Sequence, residues 1–127
     1  MQRRRRGSKG QATVEMALVL PILMWLLVGM VDIARMANAY LTIQHASREA
    51  VRLGITGASD TAVGLRATAS AIALDPTRLT VTITPLGGKL SGSDITVAVS
   101  YRYKVLALMG IIGSEVPLTT SLTARVE

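Results

Sequence analysis

Residues 16–31 read MALVLPILMWLLVGMV with no charged side chain, closed by Glu15 on one side and Asp32 on the other. As a helix these 16 residues rise roughly 24 Å, short of the ~30 Å hydrocarbon core of a bilayer. Residues 12–14 extend the run at its start and Ile33 and Ala34 at its end, while Arg35 is long enough to snorkel to the interface. A chain with such a run either buries it as the central helix of a soluble core or places it in lipid. The residues around it favour lipid.

Five of the 14 basic residues, Arg3, Arg4, Arg5, Arg6 and Lys9, precede the run with no acidic residue among them. From residue 11 onward nine basic residues face eight acidic ones, so the formal charge of +6 belongs to the N-terminus. A basic cluster directly before an apolar run is a topology signal, and the positive-inside rule puts it in the cytoplasm and the remainder outside. Nucleic acid is not expected as a partner: aromatics make up 3% of the chain, too few for stacking platforms.

Within the run, Pro21 lacks an N–H and is expected to kink or locally melt the helix. Gly29 has no second glycine at the spacing of a close-approach motif. Trp25, at mid-span, fits packing against a partner better than an interfacial belt. Past Asp32 no helix breaker occurs before Gly54, so one helix is expected over about 11–53, half in the membrane and half amphipathic. Its apolar stripe is read as Met36, Tyr40, Ile43, Ala50 and Val51, with Gly54 as C-cap. A second helix is expected from about 60 to 74, with Asp60 as N-cap and Asp75-Pro76 as its stop; its alanines, Val63, Ile72 and Leu74 suggest close packing.

The period then changes to two. Leu79, Val81 and Ile83 alternate with threonines, Ile95 to Val105 alternate with polar or small residues, and so do Val116 to Val126. The Gly/Ser-rich stretch from Pro85 to Asp94 reads as a hairpin connection. Three strands with one buried face each give an antiparallel meander on the amphipathic half of the long helix, an α+β architecture. The apolar connection Leu106 to Gly113 is either tucked under the sheet or a partner-binding patch. The chain divides into residues 1–10 as a basic leader, 11–35 as the transmembrane part of the helix, and 36–127 as a small extracytoplasmic domain.

Catalytic chemistry finds little support. There is one His, no Cys and no Gly-rich phosphate loop, so no enzyme, cofactor or metal is expected. His45 and Glu49 lie four apart on the helix, but two ligands do not make a site. Arg48, Glu49 and Arg52 read as a solvated helix face or an ion-pair ladder.

Glu15 is the exception. A carboxylate at the edge of a span is costly unless it sits at headgroup depth near a helix N-terminus or meets a partner charge. It is the fifth residue after Gly10, in Gly10-Gln11-Ala12-Thr13-Val14-Glu15. This resembles the processing site of type IV prepilins. More specifically, GQATVEMALVLPILMWLLVGMVDIARMANAYLTIQHASREAVR, from Gly10 to Arg52, resembles the TadE-like family of tight adherence (Flp-type) pilus systems. Pro21, Asp32 with Arg35, and the Ala46 to Arg52 segment share in that resemblance. Two positions depart from it: Met16 stands where major Flp prepilins usually carry an aromatic, and Ala50 where the family commonly has glycine.

The resemblance implies a minor pilin or pseudopilin, cut by a prepilin peptidase between Gly10 and Gln11. Its implied partners are that peptidase, other pilin or pseudopilin subunits, the inner-membrane assembly platform and membrane lipid. Its implied location is the cytoplasmic (inner) membrane or the pilus, and the freed Gln11 amine would pair with Glu15 of a neighbouring subunit. Two other readings compete: a signal peptide cut after Ala37-Asn38-Ala39, releasing a soluble protein, and a single-pass anchor that forms no filament.

Overall fold

The computed structural model describes residues 8–85, 91–106 and 115–127, with side chains from Gly10 onward. The leader arginines Arg3 to Arg6, the Lys9 side chain, most of the hairpin connection and residues 107–113 of the apolar connection lie outside them. The elements are α1 (Ser8–Ile55), α2 (Asp60–Ser70), a 3-10 turn (Pro76–Arg78), β1 (Leu79–Thr84), β2 (Asp94–Lys104) and β3 (Glu115–Arg125). The expected α+β architecture is present: one long helix, one short helix and a three-stranded antiparallel sheet in the order β1-β2-β3.

α1 runs 48 residues without interruption, roughly 70 Å of helix. It continues through Pro21, so the span is not melted there, although the Ala17 carbonyl loses its i+4 donor. The sheet lies on the second half of α1. Val97, Val99 and Ile95 from β2 are fully buried against Ile43 and Ala50, and Val63 and Ala67 of α2 close the cluster.

The buried stripe of α1 differs from the expected one. It consists of Asp32, Ala39, Ile43, Ala46, Ser47, Ala50, Val51 and Gly54, whereas Tyr40 is 39% exposed and Met36 only half-buried. Small side chains predominate because the sheet approaches the helix backbone closely. Ser47, fully buried, donates its hydroxyl to the Val97 carbonyl at 3.1 Å, which satisfies a polar group the close packing would otherwise strand.

Gly54 shows the same closeness and corrects its expected role. It lies inside α1, and a Cβ there would sit 2.6 Å from Ile95 Cδ1. The left-handed residue that ends the helix is Gly57, at φ 78°, whose N–H donates to the Gly54 carbonyl. Gly54→Ala should be nearly neutral, since the mobile tip of Ile95 can yield and alanine favours helix by about 1 kcal/mol. Gly54→Leu should cost about 1–3 kcal/mol by overpacking. Urea unfolding of the detergent-solubilised chain measures both, and equal losses for the two would restore the cap reading.

α2 is shorter than expected. Ser59, not Asp60, is the N-cap, its hydroxyl accepting from the Ala62 N–H at 3.3 Å, and Asp60 becomes the acidic first-turn residue. The helix stops at Ser70, and Ala73 adopts φ 71°. Asp75-Pro76 therefore opens the 3-10 turn rather than closing α2: Asp75 accepts from the Thr77 N–H and hydroxyl, bonds that hold its carboxyl below its ordinary range. Ile72, expected to pack, is 78% exposed.

The strands fall within one residue of their expected bounds. Leu79↔Tyr101 to Thr84↔Thr96 and Asp94↔Arg125 to Lys104↔Glu115 set the register. The outer face is hydroxyl-rich, with Thr96 and Thr123 hydroxyls 2.8 Å apart and Thr119 donating to Ser100. At the far end, the Glu127 N–H donates to the Ile55 carbonyl, taking up one of the acceptors that a helix C-terminus leaves open.

Candidate functional site

Among the described residues, nothing covers the first half of α1. From Val14 to Ile33 its large apolar side chains are 45–68% exposed. Its most apolar 18-residue window has a mean hydropathy of 2.3 and is 6% buried. A buried core helix would show the opposite, so this surface needs lipid or other helices around it. The helix is long and apolar enough to cross a membrane.

At its start, Gly10 is helical with open space around it. One turn on, Gln11 Nε2 donates to Glu15 Oε1 at 3.3 Å, on an exposed surface. Gln11 and Glu15 thus share one helical stripe by i, i+4 geometry, whereas Gly10, on the other side of the expected cut, lies about 100° around the helix from Gln11. Pro21, Trp25 and Gly29 continue a second stripe at four-residue intervals, and with Ile22, Leu26 and Met30 they line an open apolar groove. Trp25 is 59% exposed in it, a side chain awaiting a neighbour rather than packed within its own chain.

At the exit of the span, Asp32 is 4% exposed. Its Oδ2 accepts from the Leu106 N–H at 2.9 Å, across 74 residues. Tyr103 is drawn to the same carboxylate: burial first, then the Asp32 charge and its hydrogen bond, push the Tyr103 phenol above the ordinary tyrosine range. The phenol stays a proton donor, and the end of β2 is latched to the last turn of the span. In the sequence Asp32 stands out as the residue that closes the apolar run and as part of the resemblance. An acid closing an apolar run signals a needed partner, but the partner itself is set by the β2 register.

Further along α1, Glu49 does not join a ladder with Arg48 and Arg52. It receives the Arg66 guanidinium of α2 at 2.8 Å, which holds its carboxyl below the usual range. This exposed pair ties α2 to α1 weakly. Among the described residues no group of three His, Cys, Asp or Glu side chains is placed to hold a metal ion, and His45 is exposed. Ala50, where the resembled family commonly has glycine, is fully buried in the core cluster.

No curated protein and no solved structure matches the chain. From Gly10 at the foot of α1 to Arg52 in its last turn, residues 10–52, about a third of the chain, match the family model described as TadE-like protein.

Proposed function

We propose that this protein is a minor pilin or pseudopilin of a tight adherence (Flp-type) pilus or secretion system. A TadE-like segment implies a pilus-associated, minor-pilin-like protein. The observation that carries the reading is coincidence of extent: the match begins at Gly10 and ends within the last turn of the one helix whose first half lies bare. In this reading the five basic residues hold the N-terminus in the cytoplasm, a prepilin peptidase cuts between Gly10 and Gln11, and the domain after Arg35 lies outside. The protein then works through helix–helix and helix–lipid contacts, not through catalysis.

The geometry weighs against release by signal peptidase. Ala39 is 4% exposed in the middle of α1, and a cut after it would remove Asp32 from Leu106 and sever the helix within its contact to the sheet. A signal peptide is normally dispensable to the domain it delivers.

Intact-mass measurement on protein extracted from membranes tests the proposal. The expected species begins at Gln11, lacks the five basic leader residues and has a side-chain charge near +1. A species beginning at Tyr40 would overturn the pilin reading, and one retaining Met1 would leave an uncleaved anchor.

A further inference from the structure

The domain end nearest the span carries a cleft of about 320 Å³ that the pilin reading does not use. Arg35 and Asn38 of α1, Tyr101, Tyr103 and Lys104 of β2, and Leu106 after it line this cleft, with Ala73 in its left-handed conformation on the opposite side. Two of the chain's three tyrosines are here. We infer that this cleft is a binding site for the phosphate of a phospholipid headgroup in the leaflet where the span emerges, with Arg35 and Lys104 as its cationic ligands.

Position is the first argument. The Asp32–Leu106 hydrogen bond pins the end of β2 to the end of the apolar run, while Gly54 meets Ile95 at the opposite end of the domain. Arg35 is three residues beyond Asp32, a rise of roughly 4.5 Å, and the headgroup layer outside the hydrocarbon core is about 5–8 Å deep. The cleft therefore lies at headgroup depth whenever residues 11–35 span a membrane, a reading on which this inference rests.

Charge is the second. Among the described residues neither Arg35 nor Lys104 makes an ion pair. The acids nearby are engaged elsewhere: Asp32 is buried and takes the Leu106 N–H, and Asp75 and Glu115 both approach Arg78, at 3.6 and 4.0 Å. Glu115 is also the cross-strand neighbour of Lys104 and Asp32 lies one turn before Arg35, so each cation has one acid nearby without being held in an ion pair among the described residues. Two cations beside the partly exposed Tyr103 at a membrane surface suit an anionic headgroup: the cations meet the phosphate, and the Tyr103 ring sits between apolar and wet surroundings, while Tyr101 belongs to the core behind it. Leu106, 50% exposed, and Ile33, 67% exposed, offer apolar surface at the same level. Free inorganic phosphate has the same charged group but no use for that level or for the apolar flank.

The test is native mass spectrometry of the full chain extracted from nanodiscs of pure phosphatidylcholine or of an equimolar mixture with phosphatidylglycerol. Phosphatidylglycerol should be retained preferentially. The preference should fall about fivefold for Arg35→Gln and again for Lys104→Gln, stay unchanged for the distant Arg52→Gln, and survive excess inorganic phosphate. Equal retention of the two lipids, an equal loss in Arg52→Gln, or displacement by phosphate overturns the headgroup site. A chain that stays out of pure phosphatidylcholine discs overturns the span and the cleft with it, whereas one that enters without preference overturns the cleft alone.

Discussion

Ile43→Ala is expected to remove about 2–5 kcal/mol of folding stability, against a total of about 5–15 kcal/mol for a domain of this size. Ile43 is the largest fully buried side chain that α1 gives to the core, and Ile95, Val97 and Val99 of β2 are fully buried in the same cluster. Its neighbours on the stripe, Ala39, Ala46, Ser47 and Ala50, are too small to fill the space it would leave. The cavity therefore stays open and the loss includes both transfer and cavity costs. Leu41→Ala, two residues earlier, is the control. Leu41 is 62% exposed, and its truncation should stay within about 0.5 kcal/mol. Urea unfolding of the full chain in detergent, followed by the near-ultraviolet signal of Tyr101 and Tyr103, reads both variants. A loss below about 1 kcal/mol for Ile43→Ala would mean that the sheet is not seated on this part of α1.

The same stripe shows what could be read from the sequence and what could not. The strands were legible because each buries one face, so threonine and valine alternate at a period of two wherever the sheet is half-covered. The long helix was legible because no breaker follows Asp32 before Gly54, and the break expected at Pro21 does not interrupt it. The face of that helix that meets the sheet was legible at Ile43, Ala50 and Val51, which are buried as expected, but not at Tyr40 and Met36. Hydrophobic periodicity picks out large side chains such as Tyr40 and Met36, whereas close approach selects small ones, Ala39, Ala46 and Ser47, which carry little apolar signal. Gly54 was ambiguous for a related reason: a glycine near a helix end serves either a left-handed cap or a close contact, and only Ile95 decides between them. Asp75-Pro76 reads equally as a helix stop and as the opening of a 3-10 turn, and the left-handed Ala73 before it has no signature at all. At the candidate site, the Gln11–Glu15 stripe followed from spacing alone. The role of Asp32 did not, because its partner Leu106 is brought to it by the register of the whole sheet.

The second large effect is expected at Glu15. Glu15→Val should leave cleavage after Gly10 intact and reduce assembly with other pilin-like subunits by about a hundredfold, the consequence of leaving a few kcal/mol of unpaired charge in an apolar setting. Cleavage would create an amine on Gln11, one helical turn from Glu15 of its own chain. While Gln11 is an interior residue, its side-chain amide donates to that carboxylate at 3.3 Å, an exposed bond that water competes for readily. Once the amine is charged and the helix lies among others, the carboxylate of a neighbouring subunit can meet it where water cannot, and the register that pairs the two charges is favoured over those that do not. Glu15→Gln separates charge from hydrogen bonding: it keeps an acceptor for the amine but not the anion, and should recover only a small part of the loss. The measurement is the amount of each variant that co-purifies with partner subunits, set against intact mass to show that processing is unchanged. Full assembly of Glu15→Val would remove the charge pair from the mechanism, and failure of cleavage in that variant would instead place Glu15 in peptidase recognition.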